Sequence, residues 1–275
     1  MSPDISFTQP EAEICHAIRL LDPKRTYWVA GGGEPLQFVL LAQQLYYPDL
    51  VFMTEDGAIG QRPMLPLDPM MAMVSSRSAY RAYAWQTMNE VQWQASVGAI
   101  DFGVLGCLQV DPFGNFNSSH VGGSYDRPAR RFGGAGGANE IAALCWHTIL
   151  ITDQSKRKFV KQCDFVTSPG YLDGTPGARE RAGLPRGTGP YRVVTDNALF
   201  GFDPATHRMQ LLAVATWSSV GEVLAEMDFE PLIAEHLGVL HPPKEEELTM
   251  LRTLIDPNGQ TIGVGQWITA ETEEP

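Results

Sequence analysis

The chain has 275 residues, 44% of them hydrophobic and 19% charged, so it can bury a sizeable core and is not a disordered polymer. Its 20 Lys and Arg against 32 Asp and Glu leave a net charge of −12, the opposite of the basic footprint of a general nucleic-acid binder. No apolar run reaches the roughly 18 residues of a membrane span, and the opening MSPDISFTQPEAEI lacks the basic and apolar parts of a secretory leader. Four cysteines with no CxxC pair read as reduced thiols of a cytoplasmic protein.

In chain order, Glu11 to Leu21 repeats apolar residues at helical spacing. Thr26 to Ala30 (TYWVA) is a short β-rich run that meets Gly31-Gly32-Gly33, and Pro35 to Leu45 is helical again. Leu50 to Thr54 is a second buried strand, and this strand, glycine turn, helix, strand order predicts a βαβ unit and a parallel sheet. Ser76 to Gln92 reads as a helix, Ile100 to Leu105 and Cys107 to Val110 as strands. Gly136 to Trp146 reads as a glycine turn entering a helix, and Thr148 to Thr152 as another buried strand. Ser168 to Pro190 is too rich in Gly and Pro for one regular element and predicts a long surface loop, a common place for function. Tyr191 to Thr195, Ala198 to Phe202 and Met209 to Val214 follow as locally paired strands, then helices over Val220 to Met227 and Glu245 to Ile255. The whole predicts one α/β domain over residues 1–258, an open, mostly parallel sheet flanked by helices, with a frayed tail at 259–275.

Metal chemistry finds little support. The six histidines form no HxxxH or HExxH pair, and a zinc site needs three or four converging ligands. The GxSxG of a serine hydrolase is absent, and Gly31-Gly32-Gly33 lacks both the spacing of GxGxxG and the Lys of a P-loop. More informative is Thr54-Glu55-Asp56-Gly57-Ala58-Ile59-Gly60. It reads as a strand end with an acidic turn in which Gly57 supplies positive φ. It also reads as a carboxylate at the C-terminal edge of a parallel strand, where ligands of open α/β sheets bind and where Glu55 can act as a nucleophile.

Three further segments occur in order with TEDGAIG: Gly31-Gly32-Gly33-Glu34-Pro35, then LGCLQVD (Leu105 to Asp111) running into Gly114-Asn115-Phe116-Asn117, then Gly134-Ala135-Gly136-Gly137-Ala138-Asn139-Glu140-Ile141. Together the four resemble the β-subunit of class I coenzyme A transferases, most closely the glutaconate CoA-transferase branch, from about residue 10 to 256. That resemblance implies the CoA-transferase (NagB/RpiA-like) fold and makes Glu55 the catalytic glutamate. Asp56 departs from the family pattern, which has Ser or Asn there, and adds a second carboxylate.

By the resemblance, Glu55 carries CoA covalently from an acyl-CoA to a free acid in a ping-pong reaction, coenzyme A being substrate and covalent intermediate and no cofactor staying bound. The oxyanion and CoA-binding role falls to Gly31, Gly136, Gly137, Ala138 and Asn139, with Asn139 either touching substrate or shaping the turn. Asp56, Arg62, Arg127, Arg130 and Arg131 are substrate-contact candidates; the arginines are either a solvated loop or a cationic lining for an acidic substrate or the CoA phosphates. An α-subunit is the expected partner, in a heterodimer or higher heteromer, with no nucleic acid and no membrane. Apolar residues over Tyr80 to Trp93 form either a core helix or a contact for that partner. Two other readings of the same fold are a CoA-thioester ring-opening hydrolase or decarboxylase, and a non-catalytic scaffold subunit.

Overall fold

The computed structural model describes residues 4–30, 33–66 and 75–271. In chain order the strands are β1 (Asp4–Thr8), β2 (Tyr27–Val29), β3 (Phe52–Thr54), β4 (Ala58–Ile59), β5 (Ala84–Trp85), β6 (Phe102–Gly106), β7 (Gln109–Val110), β8 (Phe116–Asn117), β9 (His120–Gly123), β10 (Pro128–Arg131), β11 (His147–Ile151), β12 (Gly189–Val194), β13 (Ala198–Phe202), β14 (Met209–Ala215), β15 (Leu232–Leu240) and β16 (Trp267–Glu271). The helices are α1 (Gln9–Ile18), α2 (Glu34–Leu45), α3 (Met88–Ser96), α4 (Ala138–Leu144), α5 (Ala178–Arg181), α6 (Val220–Ala225) and α7 (Glu245–Met250), the last running into a π turn at Leu251–Ile255.

Among the described residues, ten strands form one sheet in the order β15-β14-β13-β12-β11-β6-β2-β3-β4-β5. Its centre, β12-β11-β6-β2-β3, is parallel throughout, and antiparallel pairings carry it outward through β13 and β14 on one side and β4 and β5 on the other. The sheet is therefore mixed, with a parallel core, as expected for an α/β chain. Within that core the chain visits β2, β3, β6, β11 and β12, so the order reverses between β2 and β6 and opens a crevice beyond their carboxyl ends.

Alternation along the strands assigns the two faces. Tyr27, Val29, Val104, Ile149, Ile151 and Val194 pack with α1 and α2 in one cluster. Their neighbours Trp28, Leu105, Leu150 and Val193 point the other way, into a cluster with Val91 and Ala95 of α3 and Ile141 and Ala142 of α4. Burial on both faces is why these strands read as continuous apolar runs.

Several elements depart from expectation. The helix predicted over Ser76 to Gln92 begins only at Met88, where Thr87 and Glu90 cap its first turn, and Ala84–Trp85 before it is a strand. The loop at Ser168 to Pro190 holds the short helix α5. The helix predicted to run to Trp146 ends at Leu144, with Cys145 closing it and His147 opening β11. The tail predicted to fray is organised as far as Glu271: Asp256 accepts hydrogen bonds from Gln260, Thr261 and Ile262, and β16 pairs antiparallel with β1. The four cysteines are buried and unpaired. No helix among the described residues is long and apolar enough to cross a membrane.

Candidate active site

The site is built on the end of β3. Phe52, Met53 and Thr54 are buried, and the chain turns immediately after them. The Gly57 N–H donates to the Thr54 carbonyl at 3.1 Å, and Gly57 has φ of 101°. A Cβ at Gly57 would lie 1.8 Å from the Gln86 carbonyl oxygen, so both the backbone angle and the close approach of the neighbouring strand require glycine. This turn lifts Glu55 off the sheet edge.

The two carboxylates of the turn have different tasks. The Thr54 hydroxyl donates to Asp56 Oδ1, and the Ala58 N–H reaches the same oxygen at 3.5 Å, so Asp56 braces the turn itself. Gln61 Nε2 donates to Thr54 Oγ1 at 3.1 Å and extends that brace. Glu55 is half-buried and faces the glycine turn that opens α4. A Cβ at Gly137 would stand 2.9 Å from Glu55 Oε2, and one at Gly136 3.9 Å from it. Burial pushes the Glu55 carboxyl above its ordinary pKa; the Gly137 N–H pulls it down, and the nearby Asp56 charge adds to the rise.

The glycine turn is oriented for this contact. Gly136 is left-handed, with φ of 49°, and Gly137 precedes the first residue of α4, Ala138. Among the described residues no main-chain carbonyl accepts the N–H of Gly136 or Gly137, whereas Gly134 and Ala138 are bonded to Ser118 and Ala135. The Gly137 N–H at the helix start thus faces a partly desolvated carboxylate, with the Gly136 N–H next to it in the chain, an arrangement that supports negative charge developing there.

Holding the turn is a polar latch that sequence reasoning treats only as a family motif. Asp111 accepts from the N–H groups of Phe113 and Asn115 and from the Asn115 side chain. Asn115 Oδ1 accepts from Gly170 and Leu172 N–H at 2.8 and 3.0 Å. Asn117 Nδ2 donates to Gln109 Oε1 and to the His120 carbonyl, and Ser118 Oγ donates to the Gly134 carbonyl at 2.8 Å. The signal is the run of Gln, Asp, Gly, Asn and Asn with no apolar periodicity, which marks a hydrogen-bonded turn.

The remaining candidates are scattered. Gly31 lies outside the described residues. The preceding residue, Ala30, has its N–H bonded to the Val104 carbonyl. Arg62 lies toward the opposite end of β3: it reaches the Leu50 and Gln61 carbonyls and the Tyr83 hydroxyl, and does not join Glu55. Asn139 donates to the Thr167 carbonyl at 3.0 Å, which ties the first turn of α4 to that segment. Arg127, Arg130 and Arg131 are exposed on the β9–β10 hairpin, which leads directly into the glycine turn. Arg130 lies over Phe132 and Arg131 over Tyr125, and among the described residues none of the three is ion-paired. No group of three or more potential metal ligands occurs among the described residues.

The family model for coenzyme A transferases matches residues 21–226. The chain is 35% identical over 240 residues to the B-subunit of glutaconate CoA-transferase from Acidaminococcus fermentans, covering 85% of this chain and 87% of that one. It is 33% identical over 226 residues to the B-subunit of 3-oxoadipate CoA-transferase from Pseudomonas knackmussii, covering 82% and 84%. The crystal structure of the Acidaminococcus fermentans glutaconate coenzyme A-transferase superposes with a TM-score of 0.84 at 32% identity, over 94% of this chain and 98% of the matched one.

Proposed function

Since the chain belongs to the coenzyme A transferase family, we propose that it carries the covalent step of CoA transfer, with Glu55 as nucleophile. The Glu55 carboxylate attacks the acyl-CoA carbonyl and expels CoA thiolate, leaving a mixed anhydride between the acyl group and Glu55. The thiolate then attacks the Glu55 carbonyl, releasing the first acid and leaving a glutamyl-CoA thioester. An incoming carboxylate reverses both steps and leaves as the new acyl-CoA, so every bond broken is matched by one formed. A carboxylate nucleophile suits this exchange because its anhydride and thioester keep the transfer potential of the starting thioester.

The observation that carries this reading is the pairing of a partly desolvated Glu55 with the Gly137 N–H, where a Cβ on residue 137 would stand 2.9 Å from Glu55 Oε2 and displace the carboxylate. Each addition step creates a tetrahedral oxyanion, and the Gly136 and Gly137 N–H groups are the donors assigned to it; losing one such donor typically costs about 2.7–4 kcal/mol of barrier.

Two features extend the proposal. Both relatives are named as B-subunits, and a conspicuous aromatic face adjoins the Glu55 turn. Tyr80, Tyr83, Trp85, Met88 and Trp93 are all exposed, Trp85 at 61% and Trp93 at 65%, and Ala58 pairs with Trp85 directly beside the turn. Exposed apolar surface of this kind marks a protein contact, and we assign it to an α-subunit that closes the site. The acids named in the two relatives are both dicarboxylic, and the unpaired Arg127, Arg130 and Arg131 offset the repulsion a second carboxylate would meet beside Glu55 and Asp56.

Two-substrate kinetics of the complex co-purified with its α-subunit test this reading, using glutaryl-CoA and 3-oxoadipate as the probe pair. Parallel double-reciprocal lines are expected. Intersecting lines would point to direct transfer in a ternary complex, and consumption of acyl-CoA without acceptor acid would point to a hydrolase.

A further inference from the structure

We propose that Arg179 is a positioning residue for the covalent step, holding the far end of α4 so that the Gly137 N–H at its near end stays in register with Glu55. The inference rests on Glu55 being the nucleophile. Arg179 sits in α5, within the Gly- and Pro-rich loop, and is only 4% exposed. No carboxylate is within hydrogen-bond reach of its guanidinium among the described residues; its partners are main-chain carbonyls and one hydroxyl.

Those partners belong to the parts that aim the site. Nη2 donates to the carbonyls of Ala142 and Ala143, in the last turn of α4, at 3.1 and 3.3 Å. Nη1 donates to the Gly170 carbonyl at 2.7 Å and the Pro169 carbonyl at 3.3 Å. Thr188 joins the same knot: its hydroxyl accepts from Nη2 at 2.8 Å and lies 3.3 Å from the Ala143 carbonyl. At the other end of α4, Asn139 is tied to Thr167, in the same 167–170 segment that Asn115 grips. The helix is thus pinned at both ends to one strip of chain.

Physical reasons make that pinning necessary. A seven-residue helix with no side-chain N-cap is marginal alone, so its position depends on what holds its ends. A cation at a helix C-terminus is favoured by the aligned peptide dipoles and satisfies carbonyls that have no partner inside the helix. Burial lowers the Arg179 pKa to about 10, so the group remains charged at neutral pH, and its Nε is buried without a partner. An uncompensated cation is a poor means of stabilising a fold. A planar fork that fixes two segments at a set spacing is a good means of holding a donor, because a displacement of about 1 Å at a reacting centre costs about 100-fold in rate.

The test compares Arg179→Met, Arg179→Lys and Thr188→Val with the parent, each co-purified with the α-subunit. It follows the rate of the CoA adduct on Glu55 by rapid quench and mass spectrometry with glutaryl-CoA, alongside kcat and KM. Arg179→Met should form the adduct about 100-fold more slowly with KM changed less than twofold, and Arg179→Lys should recover about tenfold of that loss. Thr188→Val, the mildest change, should slow the adduct about threefold and decides the matter should Arg179→Met fail to fold. Parental adduct rates in the folded variants, or a rise in KM with kcat unchanged, would overturn the positioning role alone. Absence of any adduct on parental Glu55 would remove the nucleophile and the positioning role together.

Discussion

Two carboxyl groups near the carboxyl edge of the sheet, Glu55 and Glu13, are both held above their ordinary pKa by burial, yet their surroundings differ completely. Glu13, on α1, is buried beside a cavity of about 310 Å³ that Glu34, Asp153 and Lys158 also line. The carboxylates of Glu34 and Asp196 add to the rise that burial causes, and Lys158, which opposes it, is already bonded to Asp153 and Thr152. No hydrogen bond reaches the Glu13 side chain among the described residues, so no directed donor offsets the rise that burial causes. Glu55 has an aimed donor, one acidic neighbour turned away into its own brace, and an open side. Burial alone makes a weak acid; burial with a directed N–H suits the nucleophile proposed for Glu55, because the charge its reaction creates has somewhere to go.

Exchanging one atom pair in each carboxyl breaks the comparison most sharply. Glu55→Gln should lower transfer activity by about 10³-fold or more, because the amide cannot form the anhydride. Glu13→Gln, which keeps the size and shape of the side chain, should leave kcat within about twofold, as measured on the co-purified complex. Gly137→Ala should cost about 100-fold in kcat, since the new Cβ stands 2.9 Å from Glu55 Oε2 and must push the carboxylate off its donor. Asn115→Ala should destabilise the fold by about 2 kcal/mol, seen as a lower thermal midpoint, by leaving buried Asp111 and the Gly170 N–H without their partner. The smallest effect belongs to Asp56→Asn. On the proposed mechanism activity needs ionised Glu55 and falls as pH drops through the Glu55 pKa; removing the neighbouring charge lowers that pKa and should move the acid limb of the rate profile to lower pH.

What is legible in the sequence is what local chemistry dictates. A carboxylate placed directly after a short apolar strand marks Glu55 as a candidate from local chemistry, whereas the Gly136–Gly137 turn is singled out only through the resemblance of the four motifs. The parallel core is readable because its strands, buried on both faces, are apolar throughout. Arg62 falls away from the site because β4 runs back along β3, so each residue past the turn moves farther from Glu55. The aromatic face escapes assignment because Tyr83 and Trp85 sit on or beside an edge strand whose outer side is bare, and helical spacing runs across it although Thr87 and Glu90 carry the capping signal. β15 is hidden for a related reason: as an exposed edge it shows no clean alternation. Pairing of β1 with β16 joins the two ends of the chain, and no local pattern encodes it. Arg179 looks like one charge in a glycine-rich loop; only the fold brings it to the last carbonyls of α4.

The most direct measurement is peptide mass spectrometry of the α-subunit complex after incubation with glutaryl-CoA alone, with borohydride reduction in parallel. A CoA-sized increment on the peptide containing Glu55, lost on reduction as the thioester becomes an alcohol and absent from Glu55→Gln, is the predicted result. Turnover of acyl-CoA with Glu55 unmodified, or the increment on another residue, would contradict it.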